Sequence, residues 1–486
     1  MRRAVAVLSA IILTLLVVVL SRTLTTRSRQ LTVETGVDPA VDRDRVAAHL
    51  AGAIRIPTIS NEGKVTHDDA AFRGFAAYLE QTYTLVRTHL ERESVANYSL
   101  LYTWRGSDPK LAPILLAAHM DVVPVDPASA GKWTHPPFEG AIADGYLWGR
   151  GALDDKAAVI GIMEAVESLL ASGAAPKRTV YLAFGHDEEL TGTHGAANIV
   201  ALLKKRGVQL EYALDEGGFV TNGIIPGIRG PAAVVAVSEK GYLNVELKVA
   251  GTGGHSSAPP EHTAVGVLAA AIQALERQPF PTSIRPPQTE FFDYTVPEMN
   301  LGMRLALSNR WLFQPLVMHT LEKSPLTRAT LHTTIAATMI EGSPKSNVLP
   351  TEARAIVNLR LMPGDHADYV LDHIRRAIDN TDVQIRAVEG YEASPVSDIE
   401  APPGVAIQRA IREVFRDTIV APSLMTGASD VRYYAQIAVN AYRFVPVTVG
   451  PDVSLRAHGI DERVLVSDLD KSVRFYARLL ADTATR

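Results

Sequence analysis

Four short runs in this chain carry side chains that could do chemistry: His119-Met120-Asp121, Asp154-Asp155-Lys156, Asp187-Glu188-Glu189 and Asp215-Glu216-Gly217. Together they have the layout of a two-metal hydrolytic site. Such a site must balance about four positive charges with anionic ligands and keep a free carboxylate as a base to activate water. His119 and Asp121 are two apart at the end of a strand-like run, so they share a face, and Asp121 can hydrogen-bond the ring nitrogen that faces away from a metal. Glu188 and Glu189 are adjacent carboxylates after a second apolar run, a costly arrangement unless a cation neutralises them; one can then bind metal while the other moves a proton. Asp154 leads into a helix, and Asp215-Glu216 repeats the paired-acid pattern. Each run alone also reads as a helix cap, a capped strand end or an acidic turn.

Three further places could join them. His458 stands in Leu455-Arg456-Ala457-His458-Gly459 and is the remaining histidine suited to a ligand role. His255, in Gly253-Gly254-His255-Ser256-Ser257, lies on a glycine-rich loop that could bring an imidazole to a developing oxyanion. Asn347 and Arg360 follow on neighbouring strand-like pieces, where an arginine could capture a carboxylate. Each also reads as an ordinary surface residue.

Composition narrows the field. A chain of 486 residues is too long for one compact core and implies two or three domains. It is 47% hydrophobic and 21% charged with a net charge of −5, and it has no basic stripe or phosphate-cradling loop, which argues against nucleic acid as a partner. There is no cysteine, so disulfides, thiolate zinc sites and cysteine nucleophiles are excluded, and any metal must be held by His, Asp and Glu. Met1-Arg2-Arg3 precedes a run from Ala4 to Leu20 that is apolar or small except for Ser9 and Thr14. That is a basic start followed by a hydrophobic segment, which serves equally as a cleaved signal or an uncleaved anchor and in either case implies export. Residues 21–40, rich in Thr, Ser and Arg, read as a flexible tether.

The elements that must position these residues alternate. Residues 41–54 and 68–83 have helical apolar spacing; residues 113–118, 180–184 and 212–214 read as strands buried on both faces; a helix with Val159, Ile162, Met163, Val166 and Leu170 on one stripe lies between the first two strands. This is an α/β sheet with helices on both faces, whose ligands gather beyond the carboxyl ends of the strands, where the acidic runs fall. From about 240 the order becomes strand, helix, two strands, helix, which predicts an inserted ferredoxin-like α+β domain. Residues 285–325 form an unusually apolar excursion. The predicted division is 1–40 for the signal or anchor and tether, 41–240 and 366–486 for the catalytic domain, and 241–365 for the insert.

With these motifs in place the chain resembles the dinuclear-zinc metallopeptidase family of aminoacylase, carboxypeptidase S and glutamate carboxypeptidase. The likeness runs from about 45 to 480 and rests on Ala118-His119-Met120-Asp121, Gly149-Arg150-Gly151-Ala152-Leu153-Asp154-Asp155-Lys156, Asp187-Glu188-Glu189, Leu214-Asp215-Glu216-Gly217, Gly254-His255-Ser256, Asn347-Val348-Leu349-Pro350 and His458-Gly459. Gly185-His186-Asp187 and Val237-Ser238-Glu239-Lys240-Gly241 place it nearest the branch of carboxypeptidase S and the N-fatty-acyl-amino-acid synthase/hydrolases. The resemblance implies two zinc ions, or Co2+ or Mn2+ in their place, held by His119, Asp154, Glu189, His458 and one of Asp215 and Glu216, with Asp154 bridging and Asp215 favoured. It makes Glu188 the general base and acid, Asp121 the support of His119, and His255 the oxyanion partner, in some members across a homodimer interface. Asn347, Arg360 and the Gly427 loop would hold the free carboxylate of an N-acyl amino acid. Gly427-Ala428-Ser429-Asp430 departs from the family's usual Gly-Gly-Thr-Asp-like run. The apolar excursion favours a long acyl group; a carboxypeptidase acting on short peptides is the near alternative, and a non-catalytic membrane-tethered binding protein the remote one.

Overall fold

In the computed structural model, which describes residues 1–33, 40–61 and 68–485, the central element is the strand Ile114–His119, all six residues of it buried. Its alternate side chains feed two cores: Ile114, Leu116 and Ala118 enter one, Leu115 and Ala117 the other. That is why the run has no polar alternation. It pairs in parallel with Val180–Gly185 on one side and Leu210–Asp215 on the other. The three predicted apolar runs therefore end side by side, with His119 in register with Gly185.

The sheet extends through antiparallel Ser99–Trp104 and Glu91–Val95 at one edge, and through Ala438–Arg443 and Ala232–Glu239 toward the other. Helices Arg43–Ile54, Lys156–Ala171 and Val466–Leu480 pack on one face; Ala196–Lys205 and Val431–Tyr434 cover the other. Each fully buried Leu, Ile, Val or Phe in these layers contributes roughly 1.5–3 kcal/mol, so the strand ends are fixed by a deep core rather than by loops.

The second layer is a four-stranded antiparallel sheet. Along its width lie Thr334–Glu341, Glu352–Leu361, Gly241–Ala250 and Val383–Tyr391, with helices Ala264–Arg277 and Ala367–Ile378 packed together on one face. This is the ferredoxin-like order expected. Its extent differs from the expectation: the helix and strand spanning 367–391 complete this sheet, so the boundary at 365 falls inside the layer, and the return to the catalytic sheet comes after Tyr391. Residues 383–391 give a weak signal because the strand is largely exposed and only Val383 and Ile385 reach the core.

The apolar excursion folds into helices Gln288–Thr295, Leu301–Ser308, Arg310–Glu322 and Pro325–Ala329, with a small core of its own around Phe292, Val296, Met299, Leu307 and Val317. The N-terminal segment is the helix Arg2–Thr25, long and apolar enough to cross a membrane. The expected tether is not free over its first part. Gln30 reaches the edge strand Ile419–Met425, accepting from Val420 N at 2.7 Å and donating to Val420 O at 2.9 Å, so its carboxamide mimics one rung of a β-ladder. Residues 34–39 of the tether lie outside the described residues.

Candidate metal centre

Parallel pairing delivers His119, the Glu188 turn and the Asp215-Glu216 pair to one end of the sheet, and two loops bring Asp154 and His458 over it. His119 is buried; its Nε2 stands 2.8 Å from Asp154 Oδ1. The other oxygen of Asp154 stands 3.0 Å from His458 Nε2, which is also 3.1 Å from Glu189 Oε2. Two trios of donor atoms result: His119, Asp154 and Glu216, and Asp154, Glu189 and His458. Asp154 belongs to both.

Of the two acids at 215 and 216, the donor trios include Glu216 and not the favoured Asp215. Asp215 is buried with one oxygen taken by the backbone N–H of Glu216 at 2.9 Å, and it stands in neither trio; Glu216, one residue further and past the strand end, does. A strand's alternation turns adjacent side chains to opposite sides, so only one of such a pair can face the site.

Asp121 is fully buried and gathers the site's supports. Ser60 donates to its Oδ2 at 2.7 Å, and the backbone N–H groups of Glu188 and Glu189 donate to its two oxygens, each at 3.2 Å. It thereby fixes the acidic turn as well as the imidazole. His119 Nδ1 reaches the main-chain carbonyl of Asp121 at 3.0 Å and its carboxylate Oδ1 at 3.4 Å, so the carbonyl is the closer acceptor.

Sequence reasoning missed a second support. Arg150 and Glu462 form a buried pair at 2.6 Å. Glu462 Oε1 accepts from the N–H groups of Leu153 and Asp154, while Arg150 donates to the carbonyls of His458 and Gly459. One ion pair thus ties the Asp154 loop to the His458 loop. His458 has φ +60°, a left-handed conformation uncommon outside glycine, and it is held there by its carbonyl's bond to Arg150. Breaking such a buried pair costs about 3–5 kcal/mol. Arg150 stood within a quoted motif; Glu462, four residues past His458, gave no signal of its own.

The electrostatics are those of clustered acids. Burial, then the nearby carboxylates of Asp430, Glu189 and Asp154, pushes Glu188 well above the ordinary carboxylate range; burial, then Asp154 and Glu188, does the same to Glu216. Against the upward push of burial, hydrogen bonds from His119 and His458 hold Asp154 below its usual value. Hydrogen bonds that its imidazole donates to Asp154, then Glu189, raise His458 to about 10. Imidazole nitrogens and carboxylate oxygens at this density, with Glu189 Oε1 buried and lacking a hydrogen-bond partner among the described residues, suit a divalent metal such as zinc.

A cavity of about 780 Å³ opens from Glu188 and Glu189 toward the second layer. Its far wall includes Tyr242, Arg360 and Tyr391, with Ala428 and Arg432 beside them. Arg360 lies 5.0 Å over the Tyr242 ring and has no ion-pair partner among the described residues, whereas the Arg432 guanidinium is tied to the carbonyls of Ser429 (2.8 Å) and Thr191 (2.5 Å). Gly427 is half-buried beside Ala428, and Ser429 next to it is held by Glu239, itself paired with buried Arg443 at 3.0 Å. None of the described residues lining this cavity comes from 285–329, so the apolar excursion does not form its wall.

Two predicted residues are not brought to this cavity. His255 is exposed on a two-residue ladder, Gly254-His255 against Val348-Leu349, with Nδ1 2.7 Å from Ser257 Oγ. Asn347 is exposed next to it, its carbonyl accepting from Ser256 N at 3.2 Å.

Residues 115–482 match Peptidase family M20/M25/M40. The chain is 39% identical to "Probable carboxypeptidase S-like 2" of Dictyostelium discoideum over 90% of this chain and 85% of that protein. It is 38% identical to the "N-fatty-acyl-amino acid synthase/hydrolase PM20D1" of Homo sapiens over 90% and 87%. Among solved structures, an M20 family metallo-carboxypeptidase from Sulfolobus solfataricus superposes with a TM-score of 0.63 at 18% identity, covering 90% of this chain and 98% of that one, a likeness of fold.

Proposed function

The chain belongs to peptidase family M20/M25/M40 and is a metal-dependent hydrolase, and we propose that it binds two zinc ions and cleaves the amide bond of N-acyl amino acids, long fatty acyl groups included. The observation that carries this reading is the pair of donor trios sharing Asp154, beside a cavity that runs from Glu188 to Arg360. His119, Asp154 and Glu216 would hold one ion, and Asp154, Glu189 and His458 the other. When bound, the ions would supply the Lewis acidity that polarises an amide carbonyl and makes water acidic at neutral pH.

The rest falls to the chain's own side chains. Glu188 belongs to neither trio and lines the cavity; it takes a proton from the attacking water and gives it to the departing amine nitrogen. Asp121 holds the His119 ring and the turn that carries Glu188. Arg360, its guanidinium without a carboxylate partner among the described residues, receives the carboxylate of the amino-acid part. His255 and Asn347, turned out to solvent, act on the substrate of a second copy, the two copies meeting along the insert. The exposed edge strand Thr334–Glu341, with Met339 and Ile340 more than half exposed, supports that pairing. The helix Arg2–Thr25 serves as an anchor and places the enzyme outside the membrane it crosses.

The substrate class rests on the similarity to the N-fatty-acyl-amino acid synthase/hydrolases; the similarity to carboxypeptidase S-like proteins supports a carboxypeptidase of short peptides as the second reading. Matched panels of N-fatty-acyl amino acids and dipeptides, compared by kcat/KM, separate them. The acyl substrates are expected to be cleaved faster, and a clear dipeptide preference would hand the site to the second reading.

A further inference from the structure

The apolar excursion is where the N-terminal helix docks. Asn309, fully buried at the head of helix Arg310–Glu322, donates from Nδ2 to Val19 O at 3.2 Å and to Thr23 Oγ1 at 3.0 Å. Thr26 Oγ1 lies 3.0 Å from Ser308 Oγ, and Arg304 donates to Thr26 O at 2.7 Å. Helix Arg2–Thr25 packs on Leu301–Ser308, and Val19 and Thr23 are its buried residues. Nδ2 also bonds Leu305 O at 2.9 Å, which takes one of its two N–H groups; the other serves the N-terminal helix and fixes it in position, because leaving that group unpaired would cost about 1–3 kcal/mol.

The docking sets a depth. The run Ala4 to Leu20 spans about 26 Å of helix, somewhat less than the roughly 30 Å of a bilayer's hydrocarbon. The protein grips this helix from Val19, before the apolar run ends, so the surface around the grip stands at the level of the lipid. That surface is apolar where a soluble enzyme's would be polar: Leu301 is 66% exposed, Trp311 51% and Leu316 58%, with Leu312 beside them. Trp311, Leu312, Pro315 and Leu316 form one exposed face of their helix, beginning two residues after Asn309. At the foot of the anchor a cavity of about 410 Å³ is lined by Arg22, Arg27, Arg29 and Arg310. Arg29 and Arg310 lean on Asp293, whereas Arg22 and Arg27 face no acidic partner among the described residues. An apolar face with an exposed tryptophan, bordered by arginines at the point where a helix leaves the membrane, matches the layering of a bilayer's interface.

We infer that the helices of 288–329 and the docked N-terminal helix form one lipid-facing platform, with Leu301, Trp311, Leu312 and Leu316 lying in the acyl boundary of an anionic phospholipid bilayer and the arginine-lined cavity at its headgroups. The enzyme is then seated on the membrane by two elements, not tethered at a distance from it. This inference rests on the anchor reading of Arg2–Thr25.

Trp311 is the reporter, because Trp104, Trp133 and Trp148 are buried in the protein. The full chain is reconstituted through its own helix into vesicles of phosphatidylcholine and phosphatidylglycerol, with lipids brominated near the head of the acyl chain as quenchers. The component of emission absent from Trp311→Phe is expected to fall by about half, as for a side chain at the acyl boundary. Leu312→Glu with Leu316→Glu, both surface changes, is expected to restore it. No Trp311-dependent quenching in a reconstituted chain would overturn the platform, and equal quenching in phosphatidylcholine alone would overturn the headgroup role of the arginines. N-terminal sequencing of the protein isolated from its membrane tests the anchor separately: loss of residues 1–20 there overturns that premise, whatever the substrate panel reports.

Discussion

The residues at the strand ends and those on the Gly254-His255 ladder were singled out by the same kind of reasoning, yet the fold treats them differently. His119, Asp121, Asp154, Glu189 and Glu216 converge from separate strands and loops, largely buried and held by Ser60, Arg150, Glu462 and two backbone N–H groups. Among the described residues, His255 and Asn347 bond within their own loop and its two-residue ladder, and they face solvent. On the proposed reading, one chain brings together donors that could hold metal, while the residues expected to meet the oxyanion stay exposed. A preorganised cluster of like charges needs a core to hold it, whereas a group supplied by a partner needs exposure.

The contrast can be broken at either end. Glu188→Gln should lower kcat by about 10³-fold at unchanged zinc content, measured by turnover and metal analysis on the same sample; near-normal activity would remove Glu188 from the proton path. His255→Ala should cost about 10²-fold in kcat. If His255 serves a second copy, mixing it with the Glu188→Gln variant regains activity, because one of the two sites in a mixed dimer then holds both groups; no recovery would place His255 in its own chain's site. Ser60→Ala should weaken zinc binding by about tenfold, read by competition with a chromophoric chelator, since it loosens Asp121 alone. Gln30→Ala should lower unfolding stability by about 1–2 kcal/mol in a denaturant titration and leave kcat unchanged, because its rung on Val420 lies on the sheet edge.

What was legible in the sequence followed from periodicity and from charge placed after apolar runs. The strands ending at His119, Gly185 and Asp215 announced themselves because burial on both faces removes polar alternation, and parallel pairing then made the acidic runs neighbours. Three things were not legible. The facing of Asp215 against Glu216 depends on where the strand ends relative to the site, a matter of one residue. Glu462 matters through a contact with Arg150 more than three hundred residues away in sequence, and nothing local marks it. Gln30 lies in a polar stretch that reads as a tether, and only the edge of a distant strand gives its carboxamide two partners. The apolar excursion was visible as such, but it does not line the cavity at Glu188, since part of it packs on itself and on the N-terminal helix and part of it faces outward.

The shared carboxylate of Asp154 is the centre of the account, and zinc bound per chain in Asp154→Ala tests it most directly. Equilibrium dialysis of the wild type is predicted to give two zinc ions per chain, and the variant is predicted to lose both together, because each trio is left with two donors. A variant that keeps one tightly bound ion would contradict the account, since Asp154 would then belong to one site and not to two.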